Sequence, residues 1–269
     1  MREQAVAADI AAVLVVLTAA NVWVHVGPRR AHLLTQPVAA GLLLGLGRLG
    51  GLSWADLGLA MGTAGPGVLV GVVGAIVLAA GYAVALAVPA LRGAFLDTRY
   101  DVGLRSALRI ALVEIPLSTV LLEEVAFRGV IWGLVAAERG AVAATVLSSA
   151  LFGVWHVLPA LDLARTSTAI GGRGLSWRRK VTVVGSTVLG TAAAGVLLAE
   201  LRSLTGSLLA PVAIHWAANA IGVLASAWAW GRRRRSPPEG PDGGSLLRDE
   251  APEPPASDAR AVPRQGSES

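Results

Sequence analysis

Long apolar runs are the feature of this 269-residue chain that most restricts its fold. A helix needs about 20 mainly apolar residues to cross a bilayer. Six windows reach that scale, and a seventh, at 37–50, is shorter and rich in glycine. The six cover residues 9–27, 66–90, 106–136, 140–159, 181–201 and 207–230. The pattern predicts an all-α, polytopic helical membrane protein with about seven transmembrane helices, six to eight being the range.

The balance of composition supports a membrane protein over a soluble one. Hydrophobic residues make up 54% of the chain and charged residues 15%, which suits a helical membrane protein better than a soluble domain. A net charge of +5 would suggest nucleic acid in a soluble protein. Here the basic residues stand between apolar runs, so membrane topology explains them and no nucleic-acid partner is expected.

The distribution of positive charge predicts the orientation. Basic connectors are expected at 28–36 and 160–180, and an arginine run follows Trp230. If the residues after Trp230 are cytoplasmic, most arginines and the single lysine fall on the cytoplasmic side, as the positive-inside rule requires. The sequence therefore predicts an outside N-terminus and a cytoplasmic C-terminus. The first apolar run is interpreted as a span and not as a cleaved signal peptide, because Arg2 is the one basic residue before it.

Three short motifs place polar side chains inside runs that otherwise suit lipid. Such groups are costly in a bilayer and mark a functional site by default. The chain contains no cysteine, which excludes a cysteine nucleophile and thiolate metal ligands. The motifs are LLEEVAFRG with Glu123, Glu124 and Arg128, LFGVWH with His156, and HWAAN with His215 and Asn219.

Helical spacing predicts different partners for the side chains of these motifs. Positions four apart share a helix face, so Glu124 should meet Arg128, and His215 should share a face with Asn219. Glu123 is rotated by about 100° from Glu124. Pairing with Arg128 offsets the cost of burying Glu124, which leaves Glu123 for chemistry or for another helix.

These side chains suit a reaction that uses water. A carboxylate can take a proton from water, a histidine can position that water or carry its proton, and donors can stabilise an oxyanion. A divalent metal such as zinc would also accept a carboxylate and two histidines, here Glu123, His156 and His215. The H-E-x-x-H signature is absent. No cofactor is required by the pattern, and both glutamate-dependent and metal-dependent chemistry stay open.

Together the motifs resemble a known protease family. The E-E-x-x-x-R, F-x-x-x-H and H-x-x-x-N patterns, in that order on successive spans, are similar to those of the CPBP intramembrane proteases. That family includes the type II CAAX prenyl endopeptidases, which are Ras-converting-enzyme-like, and the bacterial Abi proteins. The resemblance covers roughly residues 105 to 230. It implies helices around a buried polar cavity and hydrolysis of a peptide bond near the membrane.

The resemblance also implies roles for individual residues and a division of the chain. Glu123 and His156 would activate water, His215 and Asn219 would form the oxyanion site, and Glu124 with Arg128 would hold the cavity together. The expected regions are N-terminal transmembrane helices with a cytoplasmic-surface segment, a CPBP-like catalytic core, and a cytoplasmic tail whose Pro, Gly and Ser content predicts disorder. They cover residues 1–104, 105–231 and 232–269.

The expected partners are a peptide or membrane-protein substrate and the lipid bilayer. A chain rich in Ala and Gly with a single lysine looks bacterial, so the plasma membrane is the expected location and CAAX substrates are not assumed. The oligomeric state is left open.

Two other classes of function remain open at this stage. A non-catalytic membrane binding or immunity protein could use the cavity to hold a partner. A proton-coupled carrier could use buried glutamate and histidine as a proton relay. The simplest structural interpretation is an ion-pair cluster, with histidine and asparagine hydrogen-bonding between packed helices.

Overall fold

A computed structural model describes residues 2–26, 29–166 and 176–235 of the chain. Within these ranges the protein is helical and has no β-strand, which confirms the all-α class. The tail predicted to be disordered, 232–269, is helical at Arg232–Arg235, because α9 continues to Arg235, and its remaining residues, 236–269, lie outside the described part. The α-helices are α1 (Arg2–Val26), α2 (Arg29–Leu49), α3 (Ala64–Ala87), α4 (Leu104–Arg109), α5 (Leu121–Glu124), α6 (Trp132–Trp155), α7 (Val157–Thr166), α8 (Trp177–Thr205) and α9 (Leu209–Arg235).

Five helical segments of the described chain are long and apolar enough to cross a membrane. One of them, Leu104–Asp162, contains both the 106–136 and the 140–159 windows. Gly140 interrupts this segment, because the φ of 80° and ψ of 170° at Gly140 are not helical. Glycine adopts such a positive φ readily. The apolar part of α2, Leu33–Leu49, is shorter. The protein is therefore a multi-pass membrane protein, and its exact number of spans stays a prediction. The spanning segments are Val6–Trp23, Met61–Ala87, Leu104–Asp162, Trp177–Thr205 and Leu209–Arg235.

Two segments predicted as connectors, 28–36 and 160–180, are helical over most of the residues that the structure describes. Helix α2 begins at Arg29, so it takes in most of the 28–36 segment. Helix α7 continues to Thr166, and α8 begins at Trp177, inside the segment predicted as a loop at 160–180. Residues 167–175 lie outside the described chain. The predictions were wrong there because hydropathy marks the apolar part of a helix, whereas a helix can continue into polar residues.

The stretch that carries the glutamates is an uneven helix. Segments of π-helix cover Ile110–Glu114, Pro116–Val120 and Val125–Ile131. Proline has no N–H and cannot make the usual intrahelical bond, so irregular geometry at Pro116 has a local cause. Short α5, which ends in Glu123 and Glu124, lies between two of these segments. Such π turns are frequent at functional sites.

Glycines bring the helices that carry the histidines close to their neighbours. A Cβ atom on Gly71 of α3 would stand 2.8 Å from the Cβ of Ala213 on α9. One on Gly153 of α6 would stand 2.8 Å from the carbonyl oxygen of Val188 on α8. Small residues of this kind allow membrane helices to approach closely. They set the positions of α9 and α6, which present His215 and His156.

Candidate active site

A buried ion cluster forms the base of the site. Glu124 is completely buried, and its Oε1 lies 3.0 Å from Nη1 of Arg128. The same oxygen lies 2.7 Å from Nδ1 of His215. Because isolated charges are costly away from water, Glu124 and its two partners offset one another's burial. The pairing of Glu124 with Arg128 follows the helical spacing, whereas the contact with His215 was not predicted.

The Glu124 contact orients the His215 ring. A carboxylate only accepts hydrogen bonds, so Nδ1 carries the proton and donates to Glu124. The opposite nitrogen, Nε2, lies 3.8 Å from Oε2 of Glu123. His215 therefore stands between the two carboxylates, fixed by one and facing the other.

Glu123 has different surroundings from its neighbour. Its Oε1 accepts a hydrogen bond of 2.9 Å from the indole Nε1 of Trp155. Its Oε2 is buried and has no hydrogen-bond partner among the described residues, as is also true of Oε2 of Glu124; Glu123, however, lines a cavity. Most buried polar atoms in proteins are satisfied, so an unsatisfied carboxylate oxygen at this place calls for a functional explanation.

His156 lies half-buried directly after α6. Its Nδ1 is 2.8 Å from the carbonyl oxygen of Phe152. A carbonyl only accepts, so Nδ1 donates, and in the neutral ring Nε2 is then the acceptor. The structure gives no direct contact between His156 and Glu123 in the described chain.

The ring of Phe152 connects the two histidines and the arginine. Its centroid lies 4.4 Å from that of His156 and 5.8 Å from that of His215. The guanidinium carbon of Arg128 lies 4.0 Å from the same centroid, a cation–π distance. Phe152 thus holds the three motifs against one another, a role that its place in the F-x-x-x-H pattern did not reveal.

Asn219 is half-buried one turn beyond His215 on α9. Within the described residues its amide makes no hydrogen bond to another side chain. Beside it, the hydroxyl of Tyr82 on α3 donates to the carbonyl oxygen of Ala218 at 3.0 Å. The structure therefore keeps Asn219 near the cluster but does not join it to the other predicted site residues.

A polar cavity of about 250 Å³ opens beside Glu123. Trp155 forms part of its wall, and it extends to Arg99, before α4, and to Asp162 on α7. The resemblance to the CPBP proteases implies a polar cavity, and this one lies beside Glu123. Its remaining lining residues are Asn21, Gln36, Ser118, Thr119, Leu122 and Pro159.

Comparison with known families assigns the segment that contains this cluster. Residues 105–221 match the family model described as Type II CAAX prenyl endopeptidase Rce1-like. This segment is therefore similar to the Rce1-like family. The match confirms the resemblance to the CPBP and CAAX proteases and supports an intramembrane endopeptidase that acts on a peptide substrate at the membrane. Neither the curated proteins nor the solved structures provide a match to the chain.

The Rce1-like segment contains all six predicted site residues. The structure gathers Glu123, Glu124, Arg128 and His215 into direct or near contact. His156 joins them through the ring of Phe152. The contact of Trp155 with Glu123 was not predicted and has no sequence signal, because the two residues are 32 positions apart on different helices.

The predicted zinc ligands do not assemble into a three-ligand site. Among the described residues, no group of three or more His, Asp or Glu side chains is placed to hold a metal. Glu123 and His215 approach each other, but in the described chain no hydrogen bond or ion pair joins His156 to either of them. A catalytic zinc site has three protein ligands. The residues present do not fit such a site in the Rce1-like segment, and no step below passes through a metal.

Proposed function

We propose that the protein is an intramembrane endopeptidase in which Glu123 is the general base that activates water. The observation that carries this proposal is that Glu123 lines the polar cavity while its Oε2 lies 3.8 Å from Nε2 of His215. That separation is too long for a direct hydrogen bond. A substrate water with hydrogen bonds of about 2.8 Å to both atoms would fit it.

Glu123 then takes a proton from the water, and the oxygen of that water attacks the scissile carbonyl carbon. The indole N–H of Trp155 holds the other carboxylate oxygen in place throughout. The tetrahedral intermediate collapses when the proton passes to the leaving nitrogen and the C–N bond breaks. His156, whose Nε2 is the acceptor of its neutral ring, assists by positioning the water or carrying that proton.

His215 and Asn219 form the oxyanion site in this mechanism. Glu124 accepts the Nδ1 proton of His215, which stabilises the ring as an imidazolium. Its Nε2–H can then donate to the oxygen that becomes negative during attack, and the Asn219 amide lies one turn further along the same helix face. Arg128 balances the charge of Glu124.

The proposed location is the bacterial plasma membrane, with the C-terminus in the cytoplasm. The end of α9 supports this orientation, because it carries four consecutive arginines, Arg232–Arg235. Labelling of single introduced cysteines in intact and permeabilised cells tests it. A cysteine after residue 235 should react only after permeabilisation, and reaction in intact cells would reverse the orientation.

Cleavage assays separate the proposal from the two other function classes. The full chain, purified in detergent, is offered a library of apolar peptides and membrane-protein segments beside the variant Glu123→Gln. An endopeptidase loses cleavage in this variant. A binding protein would retain its partner in the variant and cut nothing, and a proton-coupled carrier would lose proton-linked uptake instead.

The matched control is Glu114→Gln. Glu114 lies nine residues before Glu123 on the same helical stretch, but its carboxylate pairs with Arg109 at 2.8 Å and is partly exposed. The Glu114→Gln protein should therefore cleave peptides at the same rate as the unmodified protein. Loss of cleavage in both variants would show that any carboxylate change in this stretch is damaging and would remove the support for Glu123.

A further inference from the structure

Gln36 on α2 is a buried polar residue that lies outside the Rce1-like segment. That segment begins at residue 105, whereas Gln36 belongs to the apolar helical stretch Leu33–Leu49. The residue is only 3% exposed. A buried amide side chain is costly in an apolar stretch unless its polar atoms find partners. Gln36 therefore needs a structural or a functional explanation.

The packing of α2 places Gln36 beside the glutamates. Ala40 and Leu43, four and seven positions later, share a helix face with it. Both are buried in the same core cluster as Leu122, which directly precedes Glu123. Helix α2 thus packs along the stretch that carries the glutamates. At the end of this packed face, Gln36 lines the polar cavity together with Glu123.

The side-chain oxygen of Gln36 has no partner in the described chain. Its Oε1 is buried and accepts no hydrogen bond from a described residue. Among the buried side-chain atoms of the described chain that lack a partner, two line this cavity, Oε1 of Gln36 and Oε2 of Glu123. Buried polar atoms are rarely left unsatisfied. Two such acceptors in the wall of one cavity therefore indicate a ligand that brings donors.

Other polar side chains in the same wall already have partners. The hydroxyl of Ser118 donates to the carbonyl oxygen of Glu114 in its own helix. The guanidinium of Arg99 donates to the carboxylate of Asp97. A donor that enters the cavity consequently finds Gln36 as an acceptor that no other described group occupies.

The chemistry of an amide side chain is complementary to that of a peptide group. Glutamine offers a C=O acceptor and an NH₂ donor, and a peptide backbone offers an N–H and a C=O. A peptide that enters a cavity within the membrane leaves water behind, so its backbone groups need new partners.

We propose that Gln36 binds the backbone of the substrate peptide, with Oε1 accepting a hydrogen bond from an N–H group near the scissile bond. The inference rests on the proposed function, because it adds a binding residue to the same site. Glu123 receives the water, and Gln36 receives the peptide. Helix α2 thereby supplies part of the site from outside the Rce1-like segment. Because the contact is made to the backbone, it fixes the position of the peptide without selecting a particular side chain.

The test replaces the substrate N–H groups one at a time by ester oxygens. Each replacement removes one donor near the cut and leaves the side chains of the peptide unchanged, while the scissile bond itself stays an amide. The full chain in detergent is used to measure kcat and KM. At one position the ester should lower kcat/KM about threefold to tenfold, the scale of one hydrogen bond. Equal kcat/KM for all these peptides would overturn the proposal.

The variant Gln36→Met should abolish this dependence on the N–H group. Methionine is unbranched like glutamine but has only a weakly accepting sulfur. For the all-amide peptide, kcat/KM should therefore fall about threefold to tenfold, and the ester should then cost nothing further. An ester effect as large in Gln36→Met as in the unmodified protein would show that Gln36 does not contact that N–H, and would overturn the proposal.

The unfolding temperature separates substrate binding from a structural role. If Gln36 joined helices through hydrogen bonds, Gln36→Met would unfold at a lower temperature. An unsatisfied Oε1 predicts an unchanged or higher temperature, because the variant removes a buried acceptor without a partner. Gln4→Met is the matched control, since Gln4 on α1 is exposed, and it should leave the kinetics unchanged. A lower unfolding temperature of Gln36→Met, together with an undiminished ester effect, would assign Gln36 to helix packing.

Peptide binding keeps the role of Gln36 apart from the proposed function. In Glu123→Gln, which should bind without cutting, addition of Gln36→Met should raise the Kd of a fluorescein-labelled peptide about threefold to tenfold. If Glu123→Gln abolishes cleavage but Gln36→Met changes neither the Kd nor the ester effect, only the role of Gln36 fails. If Glu123→Gln still cleaves, the proposed mechanism fails, and the ester effect decides the role of Gln36 by itself.

Discussion

Nδ1 of His215 on α9 lies 2.7 Å from Oε1 of Glu124 on α5, so one hydrogen bond joins two spans of the core. Arg128 reaches the same oxygen at 3.0 Å. Glu123, one residue earlier, takes its contacts from Trp155 and faces the cavity. Adjacent carboxylates thus have different surroundings: Glu124 is held inside the ion cluster, and Glu123 lines the cavity.

Removal of the Glu124 charge should destabilise the protein. Glu124→Gln leaves Arg128 as an uncompensated buried charge, and breaking a buried pair in this way costs about 3–5 kcal/mol. Thermal unfolding in detergent should show a clear fall. The double variant Glu124→Gln/Arg128→Met should recover stability but not cleavage, because the glutamine oxygen can still accept from His215 but lacks the charge that stabilises the imidazolium. Full recovery of cleavage in the double variant would contradict the anchoring role.

Asn219→Ala should lower kcat about 100-fold to 1,000-fold with little change in KM, as expected for one lost oxyanion donor. Steady-state kinetics on a cleaved peptide measure it. Ser226→Ala is the control on the same helix, since Ser226 is directed to the Asp97 carbonyl at 3.4 Å. An Asn219→Ala protein with unmodified kcat would exclude the amide from the oxyanion site.

His156→Asn tests the role of Nε2 of the His156 ring. The asparagine amide can replace Nδ1 as donor to the Phe152 carbonyl, but it offers nothing at the place of Nε2. The unfolding temperature should therefore stay near that of the unmodified protein, while kcat falls about 100-fold or more. Retained activity would reduce His156 to a structural residue.

Local geometry explains which parts of the site the sequence predicted. The Glu124–Arg128 pair follows from helical spacing of four, and it is present although π-helix begins at Val125. The contact of His215 with Glu124 joins residues 91 positions apart. No periodicity encodes such a contact, since it depends on how α9 packs against the glutamate-bearing stretch. The same holds for Trp155 and Glu123.

The fold shows the same division between local and long-range information. The length of the apolar runs predicted the helical class. The start of α2 at Arg29 and the extent of α7 were not predicted and are known only from the structure. The sequence of the loop between α2 and α3 does not predict that Arg202, far along the chain on α8, binds it. Nη2 of Arg202 donates to the carbonyl oxygens of Ala55 and Asp56 at 3.0 and 2.8 Å.

Arg202→Met should therefore lower stability and leave specificity unchanged. Two loop carbonyls lose their donor; because Ala55 and Asp56 are exposed and water can replace it in part, the loss is about 0.5–1.5 kcal/mol for each hydrogen bond. The loop lies against the helix after Glu123, because a Cβ on Gly133 would stand 3.0 Å from the Asp56 carbonyl. Thermal unfolding measures the effect, with exposed Arg105→Met as the control. Equal unfolding temperatures for the two variants would contradict the loop-fixing role of Arg202.

The most direct test of the central claim is the single-turnover cleavage rate of one peptide by the unmodified protein, Glu123→Gln and Glu114→Gln, each with and without a metal chelator. We expect Glu123→Gln to lose cleavage while it still binds the peptide, Glu114→Gln to cleave normally, and the chelator to change nothing. Cleavage by Glu123→Gln at the unmodified rate, or its loss on chelation in the unmodified protein, would contradict Glu123 as the base that acts without a metal.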